Sequence, residues 1–329
     1  MIRTVDYHTG GEPFRIVAEP PVDIRGQTVA ERRMFAIEDA AVDGLRRLLC
    51  FEPRGHADMY GGFLVPPDDD GARFGVLFWH KDGFSTACGH GTIALGAWAV
   101  RSGLVAAPAD GTVDVPIDVP SGRVTARVRT EGGRVRAVDF VSVPSYLIAT
   151  DVEVPTSRGV VRAAVSYGGA IYAQVDAASV GLAVTPGHHQ DLIALGREVK
   201  WALDAEPVAR HPSDERLSGV YGTILHETLG PLHQRNVTIF ADGELDRSPC
   251  GSGTAARVAT LTATGELPPG ATLVHDSIVG SRFTAVATTP PDAPPGTVVP
   301  VITGNAFPTG EHVFVMDDDD PMIPGFVLR

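Results

Sequence analysis

The chain has 329 residues, 43% hydrophobic and 20% charged, a balance ordinary for a globular protein and far from the disordered class. Its formal net charge of −13, with no local basic patch to offset it, argues against nucleic acid and anionic membrane as partners. No run approaches the roughly 18 consecutive apolar residues of a membrane span, and the opening "MIRTVDYHTGGEP" lacks the apolar core and cleavage site of a secretion signal. Three cysteines, Cys50, Cys88 and Cys250, are too few and odd in number for a disulfide framework and fit a reducing cytoplasm. At roughly 150 residues per domain, the length suits two cores.

In chain order, "FRIVAEP", "GGFLVPP" and "RFGVLFWH" read as short strands, being apolar runs bounded by Gly, Pro and Asp. "STACGHGTIALGAWAV" (Ser85 to Val100) reads as a glycine-rich turn opening into a helix. "TVDVPIDVPSGRVTARVRT" alternates at period two, and "VRAVDFVSVPSYL" continues as strand. In the second half "RGVVRAAVSYGGAIYAQVDA" is strand-like, while Gln190 to Leu203 has helical spacing with Asp191 in its first turn. "SGVYGTILHE" and "RNVTIFADGE" are strands leading into a second turn, "SPCGSGTAARVATL". Thr288 to Thr297 is a proline-rich surface loop. The last segment, from Val301, reads as strands and is expected to return to the first half. The pattern is many strands around one central helix per lobe.

The two cysteine turns are repeats of one another. Matched at Cys88 and Cys250, they share Cys, Gly, Gly and Thr and two alanines, with an offset (250 minus 88) of 162 positions, close to half the chain. This marks a duplicated half. A cysteine followed by Gly-x-Gly-Thr at a helix start places its sulfur near free backbone N–H groups. Such a turn is expected to lower the thiol pKa and to receive an anion such as a carboxylate. Gly89, Gly91, Gly251 and Gly253 let a ligand approach the backbone closely. Two such turns facing each other across a lobe interface would hold a chiral carbon between a thiolate that takes its proton and a thiol that returns one. Removing a Cα proton without a cofactor needs a dry site with N–H donors on the carboxylate.

Other features read more plainly. Cys50, after "RRLL" at helical spacing, is a small core residue. His90 is either a satisfied core histidine or a ligand-facing group, and Asp246 either a turn residue or a site carboxylate. Cys88 and His90 are too closely spaced for a zinc finger, His226 and His233 lack the i, i+4 spacing of a helical zinc motif, and Asp317 to Asp320 read as a solvated turn. No metal site and no phosphate loop is expected.

At "HTGGEPFRIV", "EPRGHADMYGGFL", "ACGHGT", "DRSPCGSGT", "DSIVGSRFTA" and "DPMIPGFVL", in this order over nearly the whole chain, the sequence resembles the proline racemase family, which includes hydroxyproline 2-epimerases and trans-3-hydroxyproline dehydratases. The resemblance implies an α+β fold of two pseudo-symmetric lobes like diaminopimelate epimerase, each a barrel-like, mostly antiparallel sheet around a central helix. The lobes are expected at 1–128, with 305–329 crossing back, and at 129–304, the active site lying in the cleft between them. It implies no metal or organic cofactor, Cys88 and Cys250 as the acid/base pair, a carboxylate held by Gly89, His90, Gly251 and Ser252, and a ring nitrogen meeting Asp246. The partner expected is a small imino acid, proline or hydroxyproline, in a cytoplasmic enzyme, with a homodimer left open. "CGHGT" is more like the epimerases; "WHKDGFST" and "YGGAIYAQVDA" are more like the dehydratases, which usually carry threonine where this chain has Cys250. The expected activity is cofactor-independent racemisation or 2-epimerisation of proline or hydroxyproline. Dehydration of trans-3-hydroxy-L-proline is the alternative, and a non-catalytic amino-acid-binding protein or thiol redox sensor a third.

Overall fold

The period-two segments become strands because each can bury one apolar face. In a computed structural model describing residues 1–317 and 319–328, the chain divides into two compact units, Met1–Val138 with the segment from Asn305, and Asp139–Gly304. Asp318 of the acidic run and Arg329 of the closing segment lie outside the described residues.

The first unit opens with β1 (Ile2–Thr9) and β2 (Glu12–Val17), followed by α1 (Val29–Glu38) and α2 (Ala40–Cys50). Then come β3 (Gly61–Val65), β4 (Phe74–His80), β5 (Gly83–Phe84), α3 (Gly89–Arg101), β6 (Gly111–Val119), β7 (Gly122–Glu131) and β8 (Arg134–Val141), which runs over the unit boundary. The second unit contains β9 (Tyr146–Thr156), β10 (Gly159–Tyr167), β11 (Ile171–Asp176), α4 (His189–Leu203), β12 (Val220–Gly230), β13 (His233–Phe240) and β14 (Glu244–Leu245). It ends with α5 (Gly251–Ala263), β15 (Thr272–Ser277), β16 (Arg282–Thr288) and β17 (Val299–Gly304). A last strand, β18 (Ala306–Phe314), pairs antiparallel with β1 in the first unit.

The duplication seen in the cysteine turns extends through both sheets. In the first unit the order β18-β1-β2-β3-β4-β6-β7 is antiparallel except at β2–β3 and β4–β6. In the second, β9-β10-β11-β12-β13-β15-β16 is antiparallel except at β11–β12 and β13–β15, the same two junctions. Mixed sheets with few helices make this an α+β protein, as expected.

The helices α3 and α5 are buried almost all round, from Gly89 to Ala97 and from Gly251 to Leu261, as befits mostly apolar or small segments; buried Arg257 of α5 is satisfied by Gln234 and Gln174. Close packing depends on glycine: a Cβ at Gly96 would lie 2.5 Å from Ala126 Cβ on β7. In the first unit Phe63, Leu77 and Trp79 of the sheet pack against Val42, Leu45 and Leu49 of α2.

Two expectations need correction. The first unit holds α1 and α2 besides its central helix. Both carry N-caps: Thr28 and Glu31 form a capping box, and Asp39 accepts from Ala41 and Val42 N–H. The closing segment is strand only through Phe314; beyond it the described residues are irregular apart from a bridge between Glu52 and Phe326. There Pro321 and Pro324 each lack the N–H that a ladder requires.

Candidate active site

In the first unit, β5 leads through a short bent segment to Cys88, which caps α3. Its backbone is extended (φ −156°, ψ 103°), and its sulfur accepts from Gly91 N–H at 3.2 Å. Its carbonyl accepts from Thr92 N–H at 3.0 Å and from the Thr92 hydroxyl at 2.8 Å. Gly91 is required here, because a Cβ would stand 2.5 Å from Phe14 Cε2 and 2.8 Å from the Cys88 sulfur. As the first two residues of α3, Gly89 and His90 present N–H groups that have no acceptor within the helix.

His90 is buried, with both ring nitrogens near the Cys88 sulfur, Nδ1 at 3.5 Å and Nε2 at 3.6 Å. Tyr60 and Phe14 meet its ring edge-on at centroid distances of 4.9 and 5.9 Å. Burial pushes its pKa down to about 3, only partly opposed by a hydrogen bond to the Pro13 carbonyl, so the imidazole is neutral at physiological pH.

The second turn repeats the plan with different chemistry. Cys250 caps α5, its sulfur accepting from Gly253 N–H at 3.3 Å and its carbonyl from Thr254 N–H at 2.7 Å. Its φ of +61° is unusual for a residue with a side chain, and such strain concentrates where surroundings dictate geometry. Gly251 and Ser252 open α5 as Gly89 and His90 open α3, and the Ser252 hydroxyl is hydrogen-bonded to Tyr172 at 2.7 Å.

Asp246 belongs to this turn. Its Oδ1 accepts from the Ser248 hydroxyl at 2.7 Å and from Ser248 N–H at 2.8 Å, while the Ser248 hydroxyl accepts from Cys250 N–H at 3.0 Å. Burial raises the Asp246 pKa to about 6 against the lowering effect of Ser248, and a side-chain hydrogen bond joins the carboxylate to the Cys250 thiol. Burial, and next the Asp246 charge, push the Cys250 thiol up, outweighing the hydrogen bonds from the Thr238 hydroxyl and the Gly253 N–H. The expectation of a lowered thiol pKa is therefore wrong at Cys250: with a side chain this deeply buried, desolvation exceeds what a helix start supplies.

Within the first unit, then, Cys88, Gly89 and His90 come together, and within the second Asp246, Cys250, Gly251 and Ser252. Cys50 stands apart at the end of α2, fully buried, its thiol donating to the Met59 carbonyl at 3.4 Å. The sequence reading missed Ser248 and Tyr172. Ser248 was signalled by spacing, since a serine two residues after an aspartate can return both its N–H and its hydroxyl to that carboxylate in a tight turn; Tyr172 joins the turn only through the folding of β11. Chemically, each turn offers a sulfur that can carry a proton and a pair of N–H groups suited to a carboxylate.

The family model for proline racemase matches residues 4–327. A trans-3-hydroxy-L-proline dehydratase of Azospirillum brasilense is 44% identical, covering 100% of this chain and 98% of the relative. A 3-hydroxyproline 2-epimerase of Burkholderia multivorans is 43% identical, with the same coverage of both chains. The crystal structure of a hydroxyproline epimerase from Agrobacterium vitis, with bound trans-4-hydroxy-L-proline, superposes with a TM-score of 0.91 at 30% identity, over 99% of this chain and 95% of that one. Isomerases and a lyase thus stand among its relatives, and the chain belongs to the proline racemase family of enzymes.

Proposed function

We propose that the protein is a cofactor-independent 2-epimerase of 3-hydroxyproline in which Cys88 and Cys250 exchange the roles of base and acid at Cα. The carrying observation is that each half of the duplicated chain places a thiol at the cap of a buried helix, 3.2 and 3.3 Å from the third residue's N–H. One thiolate takes the Cα proton and becomes a thiol; the other thiol gives its proton to the opposite face and becomes a thiolate. Charge developing on the substrate carboxylate is met by N–H groups of Gly89, His90, Gly251 and Ser252, worth most in a water-poor site. Asp246 receives the ring nitrogen. The hydroxyl position follows the relatives of 43 to 44% identity, whose names specify 3-hydroxyproline.

A second reading, dehydration of trans-3-hydroxy-L-proline, is favoured by the name of the Azospirillum relative. It needs one base at Cα and a departing C3 hydroxyl, leaving as water, to give a pyrroline-2-carboxylate. Incubating 3-hydroxyproline with the protein in deuterated water separates the two. Inversion with deuterium at Cα supports epimerisation, whereas a cyclic imine without inversion refutes it in favour of dehydration. Binding with no exchange leaves the binding-protein reading. In the same assay Cys250→Ser is expected to lose inversion by at least roughly a hundredfold; full turnover would remove the two-thiol mechanism.

A further inference from the structure

The duplicated turns differ at the residue four before each cysteine. Shifting by the common offset of 162, Asp246 corresponds to Phe84 and Ser248 to Thr86. Where the second turn buries a carboxylate, at 2% exposure, the first buries a phenyl ring, at 6%. Asp246 is bonded to the Cys250 thiol directly and reaches its backbone N–H through Ser248.

We infer that in the ligand-free enzyme the exchangeable proton of the thiol pair resides on Cys250, held there by the buried Asp246 carboxylate, so that Cys88 takes the first Cα proton. The inference rests on the reading of Cys88 and Cys250 as acid and base and decides which is which at rest. A thiol can donate to a carboxylate, whereas a thiolate beside it would bury two like charges in contact. Within its unit the charged groups acting at this turn are Asp246, from the segment before the helix, and Arg247, which acts on Asp246. The Thr238 hydroxyl of β13 is hydrogen-bonded to the thiol, and Tyr172 of β11, Tyr221 and Ile224 of β12, Ala170 and Ala256 share its apolar cluster. Both sulfurs accept a helix-start N–H, from Gly91 at Cys88 and from Gly253 at Cys250; what sets them apart is the carboxylate of Asp246 beside Cys250 where Cys88 has the neutral ring of His90. During turnover the Cα proton passes to Cys88 and the Cys250 proton to the substrate, so the thiols end with their states exchanged and the total charge unchanged. Asp246 is a positioning residue for that proton. The enzyme at rest is thereby set for one handedness of substrate.

The test is labelling of the ligand-free protein with iodoacetamide at neutral pH, each site followed by peptide mass spectrometry. The two sulfurs are similarly buried, at 4% and 6% exposure for their residues, so access does not favour Cys88. Cys88 is expected to label at least roughly tenfold faster than Cys250, since only the thiolate reacts. Asp246→Asn should speed Cys250 labelling by roughly tenfold and move its pH profile downward while leaving Cys88 unchanged, and Asp246→Glu should restore protection. Labelling of Cys250 in the wild type as fast as Cys88, or an unchanged Cys250 rate in Asp246→Asn, would overturn the inference; the wild-type ratio decides alone should the variant not fold. Because labelling uses no substrate, its failure leaves the deuterium-exchange result standing, and absent exchange with the expected labelling rejects epimerisation alone.

Discussion

Replacing Asp246 by Asn should stabilise the fold, increasingly so as pH rises, while impairing turnover. Burial holds the carboxyl at about 6 against an ordinary 3.8, so the folded protein binds this proton more tightly than the unfolded chain. The stabilising contribution of the bound proton is complete below the unfolded value and is lost as pH climbs through 6. The displacement corresponds to about 3 kcal/mol of stability withheld at pH 8 relative to acid conditions. An Asn side chain keeps an oxygen for the two Ser248 donors, at 2.7 and 2.8 Å, and removes the charge. Urea denaturation of wild type and Asp246→Asn at about pH 4.5, 6 and 8 isolates the effect, because groups away from the turn titrate in both proteins and burial, the larger cause of its raised pKa, keeps the Cys250 thiol protonated over this range in either. The gap should grow in favour of the variant by about 2 kcal/mol across that range, with unchanged denaturant slopes. A gap constant to within about 1 kcal/mol would show that Asp246 is not held in its protonated form by burial, and the reasoning would fail.

Two further substitutions probe the turns separately. Gly91→Ala drives a methyl into Phe14 and the Cys88 sulfur, which should cost about 1–3 kcal/mol by thermal melting and at least tenfold in kcat/KM through the displaced thiol. Wild-type melting and turnover in this variant would mean that the close approach at Gly91 is not needed. Tyr172→Phe removes the 2.7 Å hydrogen bond to Ser252 and should cost about 1 kcal/mol, seen in steady-state kinetics as a several-fold rise in KM with kcat less affected. A change confined to kcat would place Ser252 elsewhere than at the carboxylate.

The turns were legible because their chemistry is local: cysteine, two glycines and a threonine at fixed spacing specify a capped helix start wherever they occur. The duplication was legible for the same reason, and α4 by its helical spacing from Gln190 to Leu203. The helices α1 and α2 announce themselves by Thr28 with Glu31 and by Asp39, short signals beside a run whose arginines blur the apolar period. The positive φ of Cys250 carries no signal, because residues with side chains seldom adopt it. Nor did composition reveal the direction in which the Cys250 thiol is pushed. That depends on how deeply strands distant in sequence bury it, a property of the assembled sheet.

The pairing of β18 with β1 has a consequence for how the polypeptide matures. In the second repeat the outermost strand, β9, is made just before its neighbour β10, whereas the first repeat receives its equivalent from residues 306–314, made after the whole second repeat. A nascent chain can therefore finish the second repeat before the first, and β1 waits with one edge open until the second repeat has been made. Loss of β18 would consequently injure the half that holds Cys88.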